Sequence, residues 1–285
     1  MHPAVNDASP SLLRRSAHRP ASPQPPAQLS MQKFWVNHLC YPLLAFVLAV
    51  LVISVFHLDR VVADALYWSE GHQWALKDSW ITTTLIHKGG KNLSIAIAVV
   101  TFFLLAGSWL TPALRHWRRP LTFLLLATAT SSLLVVSAKS LTHIACPWDF
   151  NRYGGSLPFM SELDQFLHSD SGRCFPAGHA SAGYAWLALY FVGLYRHSGW
   201  RWLGLLLAVL MGVVFGVSQQ LRGAHFISHD VWTFAISWFT ALVWFRLALY
   251  RSYKQSLSNS VATTSPVLTS TPSAYAAETG IKVSS

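Results

Sequence analysis

Charge is scarce in this chain. Asp, Glu, Lys and Arg make up 11% of its 285 residues, against about a quarter in an ordinary soluble domain, which excludes a simple water-soluble globule. Bases outnumber acids, 21 to 11, for a formal net charge of +10. They fall in small groups between apolar runs, however, so the chain lacks the basic stripe of a nucleic-acid binder. The first thirty residues are rich in Pro, Ser and Ala and lack the apolar core of a cleavable signal. No internal repeat and no second domain is visible. What the chain has in abundance is apolar and aromatic surface: 52% hydrophobic residues, with 13 Trp, 16 Phe and 9 Tyr. Aromatics collect at membrane interfaces and apolar runs fill the bilayer, so the composition reads as a polytopic membrane protein.

Crossing a bilayer takes about 20 mostly apolar residues per helix. Six stretches qualify, at 40–58, 93–110, 121–138, 180–195, 202–218 and 231–250, and they predict an all-α bundle of six transmembrane helices. Several carry small residues, as between Gly183 and Gly193 and between Gly212 and Gly216, which suit close helix packing. Lys and Arg mark the cytoplasmic side. With both termini inside, the inner segments hold 13 bases against Asp7 and Glu278, whereas the outer segments hold 8 bases against 9 acids. The high net charge is thus a topology signal. Residues 1–33 and 255–285 read as disordered cytoplasmic tails flanking a membrane domain at 34–254.

Ionisable groups at membrane depth are costly unless they face a cavity or one another, and here they collect on the outer side. Residues 139–179 hold Lys139, His143, Cys146-Pro147-Trp148-Asp149, Arg152, Arg173 and Cys174-Phe175-Pro176-Ala177-Gly178-His179. The short segment 218–230 holds Arg222, His225, His229 and Asp230. Gly178 and His179 lead into the fourth predicted helix, where free backbone N–H groups and the helix dipole receive anions. A His backed by a carboxylate makes a nucleophile or a base. Lys139, Arg222, Arg152 and Arg173 can neutralise a phosphate, Arg by a bidentate fork and Lys as a point charge.

These segments resemble the three motifs of the type 2 phosphatidic acid phosphatase (PAP2) superfamily, K-x6-R-P, P-S-G-H and S-R-x5-H-x3-D. Lys139 followed by Cys146-Pro147 is similar to the first, Pro176-Ala177-Gly178-His179 to the second, and Ser218-Gln219 followed by His225 to the third. The departures are Cys146 and Gln219 in place of motif arginines, Ala177 in place of Ser, and the acid Asp230 one place late. The resemblance implies a PAP2-like helical bundle and covalent phosphoryl transfer with no metal or other cofactor. His225 attacks phosphorus, Asp230 fixes its tautomer, and His179 protonates the departing oxygen and then activates water. Lys139, Arg222 and the Gly178 N–H stabilise the equatorial oxygens, with Arg222 standing in for the missing arginines and Arg152 and Arg173 the next candidates. The late acid leaves two arrangements open: His225 with Asp230, or His229 with a different partner. His229 can also orient His225 or bind phosphate. Asp149 is either a substrate-side group or a turn residue.

The resemblance further implies a metal-independent phosphatase in a bacterial inner membrane, its site facing the periplasm, acting on a lipid-linked phosphate or pyrophosphate. The alternatives are a lipid phosphotransferase, a non-catalytic anionic-lipid transporter or binder, a redox protein built on His pairs, and a family member that has lost activity. A metal shared by His225 and His229 lacks an acidic or thiolate cluster to complete its shell. His57, His87, His116, His168 and His197 read as ordinary interfacial histidines. Cys40 falls in the first helix, whereas Cys146 and Cys174 both fall on the outer side, where an oxidising compartment permits a disulfide. The partners expected are the bilayer and its lipid phosphate, with no nucleic acid.

Overall fold

In a bilayer, a long apolar run with no period-two alternation can satisfy its backbone only as a helix. The computed structural model describes residues 26–168 and 172–264 and is all-α among them, apart from an isolated bridge between Phe150 and Leu157. The helices are α1 (Pro26–Trp35), α2 (Tyr41–Val55), α3 (Leu58–Ser69), α4 (Gly89–Leu110), α5 (Arg118–Leu141), α6 (Glu162–His168), α7 (Ser181–Tyr184), α8 (Ala188–Tyr195), α9 (Arg201–Leu221), α10 (Ile227–Ala248) and α11 (Tyr250–Thr264). π-Helical turns at Val36–Cys40 and Ile81–Lys88 lead into α2 and α4.

Among the described residues, five stretches are long and apolar enough to cross a membrane: Met31–Val55, Ile81–Leu110, Pro112–Leu141, Arg201–Leu221 and Ile227–Ala248. The other predicted span, 180–195, is three short pieces in succession, α7, a 3-10 turn at Ala185–Leu187 and α8. It is also the most deeply buried part of the bundle, with Trp186, Leu187, Ala188 and Phe191 at most 1% exposed. An apolar segment with no polar face belongs in the core of a helical protein, and α5, α9 and α10 pack around this one. In contrast, α2 and α4 turn Leu44, Leu48, Leu51, Phe102, Phe103 and Leu110 outward. An apolar coat that extensive marks a membrane-facing surface. The segments expected as tails are helical in part, since α1 begins at Pro26 and α11 continues to Thr264. Trp35 of α1 donates its indole N–H to the Tyr250 hydroxyl of α11 at 3.0 Å. Residues 1–25 and 265–285 of those expected tails lie outside the described residues.

Polar side chains and glycines set the helix contacts. Ser131 of α5 donates to Ser237 of α10 at 2.9 Å, Trp186 to Ser94 of α4 at 2.9 Å, and Trp238 to the His38 carbonyl at 2.9 Å. Such bonds contribute roughly 0.6–2 kcal/mol each in hydrocarbon. Gly183 of α7 and Gly212 of α9 lie face to face: a Cβ on Gly183 would come within 2.3 Å of the Gly212 nitrogen, and one on Gly212 within 2.1 Å of the Tyr184 ring.

The ends of α5 and α9 and the starts of α7 and α10 meet at one end of the bundle, and α3 lies across it. The sequence suggested an outer loop here; the chain instead turns at His57, in the left-handed region (φ 50°), and forms an amphipathic helix. Asp59 of α3 accepts the Ser228 N–H in the first turn of α10 at 2.9 Å, an anion at a helix N-terminus, where the dipole favours it. A second small core of Ala63, Ala145, Phe150, Tyr153 and Phe226 seals this end. Gly223, with φ of +70°, lets the Trp74 ring approach so closely that a Cβ would meet it at 2.4 Å.

The close approach of α7 and α9 predicts that Gly183→Leu is costly, since overpacking of this kind destabilises by about 1–3 kcal/mol or more. Gly199, whose Cβ would meet nothing within 4 Å, supplies the control. The melting temperature in detergent is expected to fall for Gly183→Leu and to stay near wild type for Gly199→Leu. Equal values for the two variants would overturn the packing described.

Candidate active site

Three segments converge at the sealed end: the loop after α5, the loop before α7, and the loop between α9 and α10 together with the first turn of α10. A backbone hydrogen bond joins each pair. Cys174 N–H donates to the Ile144 carbonyl (2.9 Å), Trp148 N–H to the Gly223 carbonyl (3.0 Å) and Ala177 N–H to the His229 carbonyl (3.3 Å). Cys146 and Cys174 form a disulfide beside the first of these bonds. The Thr233 hydroxyl on α10 lies 2.8 Å from the His229 carbonyl and 3.2 Å from that of Ala177, which fastens the second motif-like segment to the third.

His225 sits in the last loop and His229 in the first turn of α10. Both are buried, and their Nδ1 atoms are 3.2 Å apart, so one ring donates and the other accepts. The edges of Phe175 and Phe226 enclose His229 at centroid distances of 5.2 and 5.5 Å. Burial holds the His225 imidazole well below the ordinary His range, and the neighbouring His229 and Lys139 push the same way. His225 is therefore neutral at pH 7 with a lone pair to use.

His179 follows Gly178 in the turn into α7, whose Ser181 hydroxyl donates to the Gly178 carbonyl at 2.7 Å. The His179 ring stacks on His87 at 4.1 Å and leans on Phe215 at 5.1 Å. Its Nε2 is buried with no protein partner. Burial, and then the adjacent His87, lower its pKa to about 4.

Cations close the site. The Lys139 Nζ lies 3.6 Å from where a side chain on Gly178 would begin, so glycine leaves that space to the ammonium. Arg222 donates from Nε to the Lys77 carbonyl (2.8 Å) and from Nη1 to the Gln219 side-chain oxygen (3.1 Å). Gln219, in the place of a motif arginine, thus steadies Arg222. His87 lies within electrostatic reach of Arg222, Lys139, Lys88 and Lys91. On sequence alone His87 reads as an ordinary interfacial histidine. The available signal was the run His87-Lys88-Gly89-Gly90-Lys91, in which Gly90 lets the Phe215 ring pack so closely that a Cβ would meet it at 2.4 Å.

Lys139, Gly178, His179, Arg222, His225 and His229 are brought together; four other candidates lie elsewhere. Asp149 accepts the Cys146 N–H at 2.9 Å and shapes its own turn. Arg152 forms a bidentate pair with Asp64 of α3 at 2.7 and 2.6 Å, and its hydrogen bond holds the Asp64 carboxyl below the usual range against the opposing effect of burial. Arg173 is exposed. Asp230, expected to fix the His225 tautomer, instead accepts a hydrogen bond from the Gln220 amide and nests against Gly216. Consecutive helical residues point about 100° apart, so when His229 faces His225 its neighbour cannot. Among the described residues no three His, Cys, Asp or Glu side chains gather as a metal site.

The depressed His179 value makes a signed prediction. An unfolded His takes up its proton near 6.5 and the folded one only near 4, so the unfolded state binds more protons in between and stability falls as pH drops through that window. At full burial such a shift corresponds to on the order of 3 kcal/mol. The melting temperature in detergent is expected to fall between pH 6.5 and 4, and His179→Gln to shallow the slope, with His225 supplying the remainder. An unchanged slope in the variant would mean that His179 is not held neutral by burial.

No curated protein and no solved structure matches the chain significantly. Residues 120–253, which contain all three motif-like segments, match the family model of the PAP2 superfamily. That match supports membership of the PAP2 superfamily.

Proposed function

We propose that the protein is a membrane phosphatase that removes phosphate from a lipid-linked phosphate or pyrophosphate through a phosphohistidine, without a metal ion. Membership of the PAP2 superfamily supports phosphatase-type activity in general. The observation that carries the finer reading is the buried, neutral His225 with its Nδ1 3.2 Å from that of His229, near Lys139 and His179. His229 holds the ring through Nδ1, which leaves Nε2 to attack phosphorus. As the N–P bond forms, the positive charge developing on His225 is shared across the contact with His229. Lys139, Arg222 and the Gly178 N–H receive the equatorial oxygens, where charge spreads in the transition state.

His179 rests unprotonated, as its low pKa requires. A phosphate arriving beside Nε2 offsets the field of Lys139 and Arg222 and favours the imidazolium, so the substrate brings His179 into its acid form. His179 then protonates the departing oxygen and, once neutral again, takes a proton from the water that releases phosphate. A lipid substrate is supported by the position of the site, at the end of a bundle whose flanks are apolar. The distribution of Lys and Arg supports an orientation with this end outward, and the bacterial inner-membrane setting rests on the resemblance.

Phosphate release from a panel of lipid phosphates in EDTA tests this reading. Wild type is expected to act on one lipid class, and His225→Ala and His179→Ala to abolish release. His229→Ala is expected to lose about 10²–10⁴-fold in kcat, while His229→Asp, which restores a carboxylate at that position, retains most of the activity. Release unaffected by His225→Ala would overturn the phosphohistidine. No release with water or with an acceptor lipid would overturn phosphoryl transfer altogether.

A further inference from the structure

A cavity of about 490 Å³ runs between α2, α9 and α10, and of the candidate site residues only Asp230 lines it. It follows α10 from Ile227 to Phe239, about 18 Å at 1.5 Å per residue. Phe46, Val213, Val217, Phe234 and Trp238 give it apolar walls, while Tyr184, Gln220 and Asp230 are its polar groups. Asp230 is 6% exposed. One carboxylate oxygen accepts from Gln220; the other, Oδ1, is buried with no protein partner. The pocket around it is built, because a Cβ on Gly216 would fall 2.6 Å from Oδ1. An acceptor left unsatisfied in an apolar wall is destabilising, and a ligand that donates a hydrogen bond removes the penalty.

We infer that this groove binds a lipid alcohol, with its chain along α10 and its hydroxyl on Asp230. No Lys, Arg or His lines the groove, so a phosphate head would face a carboxylate with nothing to neutralise it. A hydroxyl donates to Asp230 Oδ1 while its oxygen accepts from the Tyr184 O–H or the Gln220 amide; an ammonium head has no lone pair for either. The apolar walls suit a hydrocarbon chain drawn from the bilayer. With a lipid monophosphate as substrate, a lipid alcohol is also what the reaction proposed above leaves behind, and only its identification as the product rests on that proposal. The groove would then take the product's chain and head away from the cationic site that selects the phosphate.

The experiment uses the full chain in detergent and a long-chain alcohol bearing a photoreactive diazirine, competed by hexadecanol, hexadecyl phosphate or hexadecylamine. Labelling is expected on peptides of α2 and α10, with hexadecanol competing at least tenfold better than either analogue. Asp230→Leu is expected to weaken labelling at least tenfold. Val213→Trp, a lipid-side change that fills the groove and leaves the carboxylate in place, is expected to do the same. Labelling elsewhere, equal competition by the phosphate, or better competition by the amine would overturn the inference. Phosphate release measured on the same preparation separates the two proposals. Release without groove labelling removes the lipid-alcohol site alone, and groove labelling without release removes only the phosphatase reading.

Discussion

The hydrogen bonds from Cys174 to Ile144, from Trp148 to Gly223 and from Ala177 to His229 close a triangle among three irregular loops. Each side of it is main chain, so it survives the side-chain departures from the family motifs. Irregular backbone near a bilayer persists only where its polar groups are paired within the protein, and this triangle pairs them. It also fixes the site, because His225 and His229 flank one corner and Gly178 and His179 follow directly from another. The disulfide runs parallel to one side and closes a 28-residue separation, a constraint on the order of 3.5 kcal/mol in chain-entropy terms. Cys146 stands where the first motif has arginine, so that position exchanges a phosphate-binding charge for a covalent tie. Lys77 braces another side, its ammonium lying 4.5 Å from the Trp148 ring centre and its carbonyl accepting from Arg222.

With the loops fixed and the rings buried, the site combines neutral imidazoles with fixed cations. His179 and His225 are both held below the ordinary His range, by burial first and by neighbouring positive or ionisable groups second. A site of this kind waits for an anion. In the reaction proposed, burial and then repulsion keep protons off the rings before the substrate arrives, and its phosphate neutralises the same cations so that His179 takes a proton. On that proposal the proton-transfer group is set by the phosphate it serves, and no separate acid is needed to prime it. The charge lost with two motif arginines is made up from elsewhere. Arg222 is steadied by Gln219, and the run His87 to Lys91 comes in from the start of α4.

Much of this was legible in the sequence because its causes are local. Apolar runs and the spacing of Lys139, His179 and His225 come directly from composition and order. Five of the six expected spans correspond to long apolar helices. The stretch 180–195 did not look different in hydropathy, and its burial as the central segment depends on which neighbours surround it. Residues 58–69 carry acids that read as a solvated loop, yet Asp59 and Asp64 are the groups that pin α3 to α10 and to Arg152. His87 was passed over for the same reason, since its contact with His179 spans 92 positions of chain and leaves no local trace.

The arrangement around Asp230 turns on helical phase. A carboxylate one place late is a small change on paper, but α10 has begun by Ile227, and each further residue turns the side chain by about 100°. Position 229 faces the loop that carries His225; position 230 faces α9. A single-residue shift therefore moves the acid to another surface of the helix, where Gly216 leaves space for it and Gln220 meets it. In the function proposed, the orienting task passes to an imidazole, which can both give and accept a proton where a carboxylate only accepts. The displaced acid becomes a polar group of an apolar groove. Glycine at 216, glutamine at 220 and histidine at 229 are then parts of one accommodation, since each makes sense only if the acid stands at 230.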